Sequence, residues 1–230
     1  MKSSLIIPCY NEGKNLPYLI DRCKELAGAG IEVILVDNGS TDDSPEVLRR
    51  LLSDAHCIRS VRVEKNRGYG HGIVSGLREA KGEILGWTHA DMQTDPKDFM
   101  KGLDFFSENC SAFVKGLRHG RPVSDRIFTA GMSFFEMLIF RRSMWDINAQ
   151  PTMFHRNFFS QWVEPPDDFS LDLYAYYSAK RANLQIFRFP VFFGQRMHGV
   201  SHWNVDWKAK LKFIKRTISY SFEMKKRGQQ

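Results

Sequence analysis

The chain predicts an α/β fold, with a mostly parallel sheet and helices on both of its faces. Three observations predict it. Short β-branched runs alternate with amphipathic helical patterns through the N-terminal part of the chain. The connections between them are brief, as a doubly wound sheet requires. With 230 residues, 43% of them hydrophobic and 26% charged, the chain suffices for one substantial core.

"SSLIIPC" (3–9) reads as a buried first strand. "GKNLPYLIDRCKELAG" (13–28) reads as a helix, because Leu16, Leu19, Ile20, Cys23 and Leu26 recur at helical spacing. "IEVILVD" (31–37) is a second strand, and "STDDSPEVLRRLLSD" (40–54) a helix whose Ser and Asp residues precede its apolar stripe. "IRSVRVEK" (58–65) is a third strand, "YGHGIVSGLREAKG" (69–82) a small-residue helix ended by Gly82, and "EILGWTHAD" (83–91) a fourth strand. "PKDFMKGLDFFSEN" (96–109) predicts a helix with Asp95 as N-cap and Pro96 in its first position.

Beyond this point the alternation weakens. "SAFVKGLRHGR" (111–121) predicts a strand running into a basic loop, and "SDRIFTAGMSFFEMLIFRRSM" (124–144) a long, strongly apolar helix. "FSLDLYAYYSAKRANLQ" (169–185) predicts a helix, and "IFRFPVFFGQR" (186–196) a strand pair around Pro190. The tail, 203–230, sets Trp203, Trp207, Leu211, Ile214 and Ile218 at spacings of three or four among five Lys and Arg residues from Lys208 to Arg216. Such a helix either lies on a membrane surface or packs on the preceding domain with its lysines in water. Two units are therefore expected: a domain over 1–202 and a basic amphipathic helix over 203–230.

A net charge of +7 and a pI near 9.3 imply attraction to something anionic: nucleic acid, a nucleotide, a lipid phosphate or an acidic membrane surface. No nucleic-acid module is recognisable, and acidic residues cluster where a phosphate backbone would be repelled, so no nucleic-acid partner is expected. Cys9, Cys23, Cys57 and Cys110 form no CxxC pair, which argues against a zinc site or a disulfide framework and for a reducing cytosol. The apolar run at 5–9 is too short for a signal peptide, and "MSFFEMLIF" (132–140) is about half a membrane span, so a cytoplasmic protein, peripheral on the inner face of the membrane, is expected.

In open α/β sheets ligands bind beyond the carboxyl ends of the strands. Four polar clusters fall there: "PCYNE" (8–12), "VDNGSTD" (36–42), "EKNRGYGHG" (64–72) and "THADMQTD" (88–95). In the last of these, Asp91 stands at the end of the predicted strand with Gln93 two residues on, and His89 lies on the same strand face, so that a carboxylate and an amide oxygen are offered beside an imidazole. Mg²⁺ or Mn²⁺ takes such oxygen ligands, together with substrate phosphates; an exposed strand end is the plainer alternative. Asp37 can accept hydrogen bonds from a nucleobase or ribose, whereas Gly39, Ser40 and Asp42 are explained by turn and cap chemistry. The glycines 68, 70, 72 and 76 fit neither a Walker loop nor a dinucleotide fingerprint; close packing and room for a ligand both account for them. Arg118 and Arg196, each in a Gly-containing basic loop, can clamp phosphate.

Taken in order, "SLIIPCYNEGKNL", "VILVDNGSTDDS", "KNRGYGHGIVSGLREAKGEI" and "HADMQTDP" resemble the family 2 glycosyltransferases of the GT-A fold, especially the branch of dolichyl-phosphate mannosyltransferase and other polyprenyl-phosphate hexosyltransferases. The likeness covers residues 3 to about 100 well and continues more weakly through "VKGLRHGR", "DINAQPTMFHRNFF" and "FPVFFGQRMHGVSHWN". It implies that Pro8, Tyr10, Glu12, Asp37 and Asn38 cradle the nucleoside of a nucleotide-sugar donor. It also implies that Asp91 and Gln93, with His89 beside them, bind a divalent metal on the donor diphosphate, and that Arg118 and Arg196 serve donor or acceptor phosphates. The implied reaction is inverting transfer to a polyprenyl phosphate or membrane-associated glycan. An anionic lipid phosphate needs no strong base; for a hydroxyl acceptor, Asp167 and Asp168 are the nearest candidate bases. The sequence departs from the family twice: His89 stands at the first position of the usual Asp-x-Asp, which favours Mn²⁺ or loosens the metal, and Asn38 replaces an acidic residue.

Overall fold

The protein is described here by a computed structural model, covering residues 2–53, 57–107, 111–198 and 207–227, with side chains in the C-terminal helix from 214 to 226. Seven strands form one sheet: β1 (Ser3–Cys9), β2 (Glu32–Asn38), β3 (Ile58–Val63), β4 (Ile84–Trp87), β5 (Ala112–His119), β6 (Thr152–His155) and β7 (Gln185–Phe192). Their spatial order is β3-β2-β1-β4-β6-β5-β7. β6 alone runs against its neighbours β4 and β5; all other pairings are parallel.

The helices divide between the two faces. On one face α1 (Leu16–Gly28), α2 (Ser44–Leu51) and α4 (Asp98–Leu103) close over Leu5, Ile7, Val33, Leu35 and Phe99. On the other, α3 (Tyr69–Glu79), α5 (Val123–Phe140), α6 (Arg156–Phe159), α7 (Leu171–Arg181) and α8 (Trp207–Arg227) cover Ile6, Ile34, Trp87, Phe113 and Phe154. β1 and β2 are buried on both faces, which is why they read as continuous apolar runs. The chain steps from β1 outward to β3 and then crosses through α3 to β4 on the other side of β1. That reversal opens a crevice at the carboxyl ends of β1 and β4. The β1–β4 ladder stops at Ile6 and Trp87, so the missing N–H of Pro8 lies beyond it.

Several expectations are corrected. The fourth strand ends at Trp87 rather than continuing to 91. Met92 then takes a left-handed φ of 59°, and the Gln93 N–H donates to Asp91 Oδ1 at 3.1 Å. The alternation of His89, Asp91 and Gln93 therefore belongs to a side-chain-capped turn, not to one strand face. The expected strand pair around Pro190 is a single strand, possible because β7 is an edge. β6, with α6 after it, was not anticipated: four residues, Thr152 to His155, are too few for a visible period. The helix expected at 96–109 is α4 plus a 3-10 turn at Asp104–Phe106; Asp95 Oδ1 accepts from the Lys97 N–H in the turn that leads into α4.

Candidate functional site

Two loops interlock beyond β1 and β2. Asn11, at a φ of 55°, accepts from the Thr41 N–H at 2.9 Å and donates its own N–H to Ser40 Oγ; Glu12 and Gly13 donate to Ser44 and Asp42. This weave holds Asp37 at the carboxyl end of β2, where it is 2% exposed. Its Oδ1 accepts from the Ser40 N–H at 2.9 Å. Oδ2 is buried and ion-paired with Arg62 Nη1 at 3.3 Å, but accepts no hydrogen bond. Tyr10 stands 38% exposed at the rim, and Pro8 supplies the strand edge beneath.

Asn38 turns elsewhere. Its Nδ2 donates to the Gly68 carbonyl at 2.8 Å, and its side chain packs where a Cβ on Gly72 would fall, at 3.0 Å. It ties β2 to the start of α3. The glycines of that segment are explained by packing: a Cβ at Gly70 would sit 2.2 Å from the Pro166 carbonyl, and one at Gly68, whose φ is 129°, 2.4 Å from that of Asp167. The Asp167 carbonyl accepts the His71 N–H at 2.9 Å, so segment 166–168 caps the N-terminus of α3.

Asp91 is buried at 5% exposure, and its Oδ2 meets Arg196 Nη2 at 2.8 Å. Arg196 arrives from the loop after β7, which is strapped to the turn by the Gly194 N–H to Gln93 carbonyl bond at 2.7 Å and by Gln93 Nε2 to the Gly194 carbonyl at 3.1 Å. The same loop is held to α1 by Asn15 Nδ2 on the His198 carbonyl. Burial pushes the Glu12 carboxyl up, with Asp91 adding repulsion; Asn15 and Arg196 oppose this. Burial also pushes His89 down, toward the neutral imidazole that a metal or phosphate would meet. Three oxygen or nitrogen donors, from Asp91, Gln93 and His89, thus lie along one turn. Among the described residues no group of three His, Cys, Asp or Glu side chains is placed to hold a metal ion.

Arg118 is placed differently. Its Nε donates to Asp146 Oδ1 at 2.9 Å and its backbone N–H to Oδ2 at 3.1 Å, while Arg121 lies 3.7 Å from the same carboxylate. Both guanidinium groups stand over Phe193, at 5.2 and 5.5 Å, in the loop that carries Arg196. Two arginines share the Asp146 carboxylate next to that loop, and the charge of Asp125 also acts on Arg121.

Behind the turn lies a buried polar group that sequence reasoning passed over. Lys115, fully buried on β5, donates to Thr152 Oγ1 and lies 4.0 Å from Asp172; Gln150 Nε2 reaches both Asp172 Oδ1 at 2.7 Å and the Tyr69 hydroxyl at 3.2 Å. Burial pushes Lys115 down to about 7 and Asp172 up. A lysine inside "AFVKGL" was the available signal, since a charge in a strand core is rarely left without a partner. A cleft of about 830 Å³, walled by Met92, Met100, Phe192 and Met197, shares Gln93 and Gly194 with the site but does not reach Asp91.

The family model described as "Glycosyl transferase family 2" matches residues 4–163. An undecaprenyl-phosphate 4-deoxy-4-formamido-L-arabinose transferase of Yersinia pestis (strain Pestoides F) is 39% identical over 103 residues, 42% of this chain and 31% of the relative. That of Pectobacterium atrosepticum is 36% identical over 111 residues, 46% of this chain and 33% of the relative. The matched segment spans about a third of the length of these curated relatives. A glucosyl-3-phosphoglycerate synthase from Mycobacterium tuberculosis, solved with Mn²⁺, UDP-glucose and phosphoglyceric acid, superposes with a TM-score of 0.74 at 16% identity, covering 97% of this chain and 79% of that one. A mannosyltransferase from Pyrobaculum calidifontis, solved with GDP-mannose and Mn²⁺, gives 0.65 at 19%, covering 86% and 58%. At such identities the likeness is one of fold, and the fold is GT-A.

Proposed function

Because the chain belongs to glycosyl transferase family 2, we propose that it moves a sugar, with inversion, from a nucleotide-sugar donor to a polyprenyl phosphate or a membrane-associated glycan. The observation that carries this reading is the meeting of Asp91 and Arg196 at 2.8 Å in the crevice between β1 and β4. Asp37, whose Oδ2 is ion-paired with Arg62 but accepts no hydrogen bond, would take the nucleoside, with Tyr10 at the rim. Asp91, with Gln93 or His89, would hold Mn²⁺ or Mg²⁺, as the donor-bound complexes of the structural neighbours encourage. When bound, the ion supplies charge to stabilise the departing nucleoside diphosphate. Arg196 adds a guanidinium to the same oxygens, and the Arg118–Arg121 pair offers cationic charge for a second phosphate.

A lipid phosphate is favoured over a hydroxyl acceptor because the two nearest candidate bases are engaged. Asp167 pairs with Arg67 at 2.9 Å, and Asp168 with Arg216 at 3.0 Å. An acceptor that is already anionic needs neither. Among the described residues no helix is long and apolar enough to cross a membrane. Yet α5 leaves Val123, Ile127, Phe134 and Leu138 60–68% exposed at spacings that share one face. With the basic tail at 203–230 and a net charge of +7, this stripe supports a protein working at the inner membrane surface.

The test is thermal stabilisation by UDP, GDP, CDP and dTDP, each with Mn²⁺, Mg²⁺ or EDTA, for the native chain and Asp91→Ala. Metal-dependent stabilisation by one nucleotide, lost in the variant, is expected. Stabilisation by none of them, in a folded chain, refutes the donor site.

A further inference from the structure

Both oxygens of Asp91 are engaged within the chain. Oδ1 accepts the Gln93 N–H at 3.1 Å, and Oδ2 meets Arg196 Nη2 at 2.8 Å. At 5% exposure this carboxylate has little water to solvate it, so the guanidinium offsets the cost of its burial. Glu12 adds a second negative charge nearby: it is repelled by Asp91 and attracted by Arg196. Arg196 thus stands where buried carboxylates call for a cation, and it is a cation that the chain itself supplies.

The side chain of Arg196 is free to change partner, although its backbone is not. Gly194 exchanges two bonds with Gln93, and the His198 carbonyl accepts from Asn15 Nδ2 at 3.3 Å, so the loop is pinned on both sides. The side chain between these pins is 26% exposed, and its Nε is buried without a hydrogen-bond partner among the described residues. A long side chain on a pinned loop moves by changing rotamer.

We propose that Arg196 is an exchangeable counter-cation: it neutralises Asp91 until a divalent metal takes that carboxylate, and then turns to the donor diphosphate. The inference rests on the donor-site reading above and adds to it a coupling between the two ligands. A divalent ion and a guanidinium on one carboxylate repel each other, so metal alone has to displace Arg196 and binds weakly. A diphosphate removes the conflict, because its oxygens accept both cations and give the orphan Nε an acceptor. Metal and nucleotide then bind as a pair, each raising the affinity for the other by the same factor.

The experiment titrates the complete chain with Mn²⁺ alone, reading the loss of the paramagnetic resonance of the free aqueous ion. Four proteins are compared: native, Arg196→Gln, Asp91→Asn and the double variant. Arg196→Gln is expected to bind Mn²⁺ about tenfold more tightly than the native chain, whereas loss of an arginine that only shapes the loop or only binds phosphate brings no such gain. The double variant should lose the gain, which assigns the tighter site to Asp91. With UDP, GDP, CDP or dTDP as probes, the thermal stabilisation that Mn²⁺ adds should be smaller in Arg196→Gln than in the native chain. In the native chain, labelling of Arg196 by phenylglyoxal, read by mass spectrometry, should quicken several-fold with Mn²⁺ and slow again when nucleotide is added. This labelling decides alone if Arg196→Gln fails to fold, and a rate that saturating Mn²⁺ leaves unchanged overturns the inference. So does an Mn²⁺ affinity in Arg196→Gln equal to or below that of the native chain, or a gain that survives in the double variant. In each of these cases the donor site stands as long as one nucleotide still stabilises the native chain with metal and fails to stabilise Asp91→Ala. A native chain that no nucleotide stabilises overturns the donor-site reading and the inference together.

Discussion

Glu136 on α5 allows a sharp test of how α8 is held to the domain. It is fully buried; Ser221 Oγ of α8 donates to its Oε1 at 2.8 Å, while Oε2 is buried without a partner. Burial pushes this carboxyl from the usual 4.5 up to about 7, and the bond from Ser221 opposes the rise only in part. The folded chain therefore holds a proton here that the unfolded chain releases, and Glu136 costs stability as pH climbs from about 4.5 to about 7, with the full cost above that. At about 1.4 kcal/mol per pH unit the penalty is on the order of 3 kcal/mol. Glu136→Gln keeps the shape and an acceptor for Ser221 but removes the charge. Urea unfolding of both proteins at pH 5 and pH 8 should show near-equal stabilities at the lower pH, and the variant more stable by about 2 to 3 kcal/mol at the higher. The difference between the two proteins cancels the other titrating groups, among them Glu12, Asp172 and Lys115. A gap that does not widen with pH would mean that Glu136 is already solvated and ionised, and that α8 does not seal the face of α5 as described.

Four further outcomes are expected. Lys115→Ala leaves Asp172 buried without its cation and should lower stability by about 3 kcal/mol in urea melts. Gly70→Ala places a Cβ 2.2 Å from the Pro166 carbonyl, so the cap on α3 must shift; a loss of about 2 kcal/mol and weaker nucleotide binding are expected by melting and titration. Asp37→Asn keeps an acceptor for the Ser40 N–H but halves the open acceptor capacity, and should weaken nucleoside diphosphate binding about tenfold by titrated thermal shift with a far smaller change in melting temperature. Replacing Phe134 and Leu138 together by Glu should reduce co-sedimentation with anionic vesicles several-fold and leave metal-dependent nucleotide stabilisation intact.

What could be read from the sequence follows how locally each feature is encoded. β1, β2 and α1 lie within two residues of expectation at nearly every boundary, because burial on both sheet faces or on one helix face writes a dense period. Asp37 and Asp91 are singled out by the rule that strand ends face the ligand, which needs only the order of elements, and the structure places them at the end of β2 and in the turn after β4. Asn38 and the α3 glycines were ambiguous for a physical reason. Their partners, the Gly68 carbonyl and the backbone of 166–168, are either 30 residues away, beyond α2 and β3, or about a hundred residues away. β6 escaped because its pairing lies in β4 and β5 rather than in its own four residues.

The same distinction explains the one geometric expectation that failed at the site itself. The alternation beginning at His89 predicts a strand that continues to 91, since period two is what a strand writes, whereas β4 ends at Trp87. But a run of short polar side chains also satisfies itself locally, and here Asp91 binds the Gln93 N–H while Asp95 binds that of Lys97. Once the backbone turns to serve those bonds, Asp91 no longer needs strand neighbours to aim it. It is aimed by Arg196, 105 positions away in sequence and carried on a loop whose register is set by two bonds to Gln93. The carboxylate was visible in the sequence because its chemistry is its own; its orientation was not, because it depends on a loop that the sequence places almost at the other end of the chain.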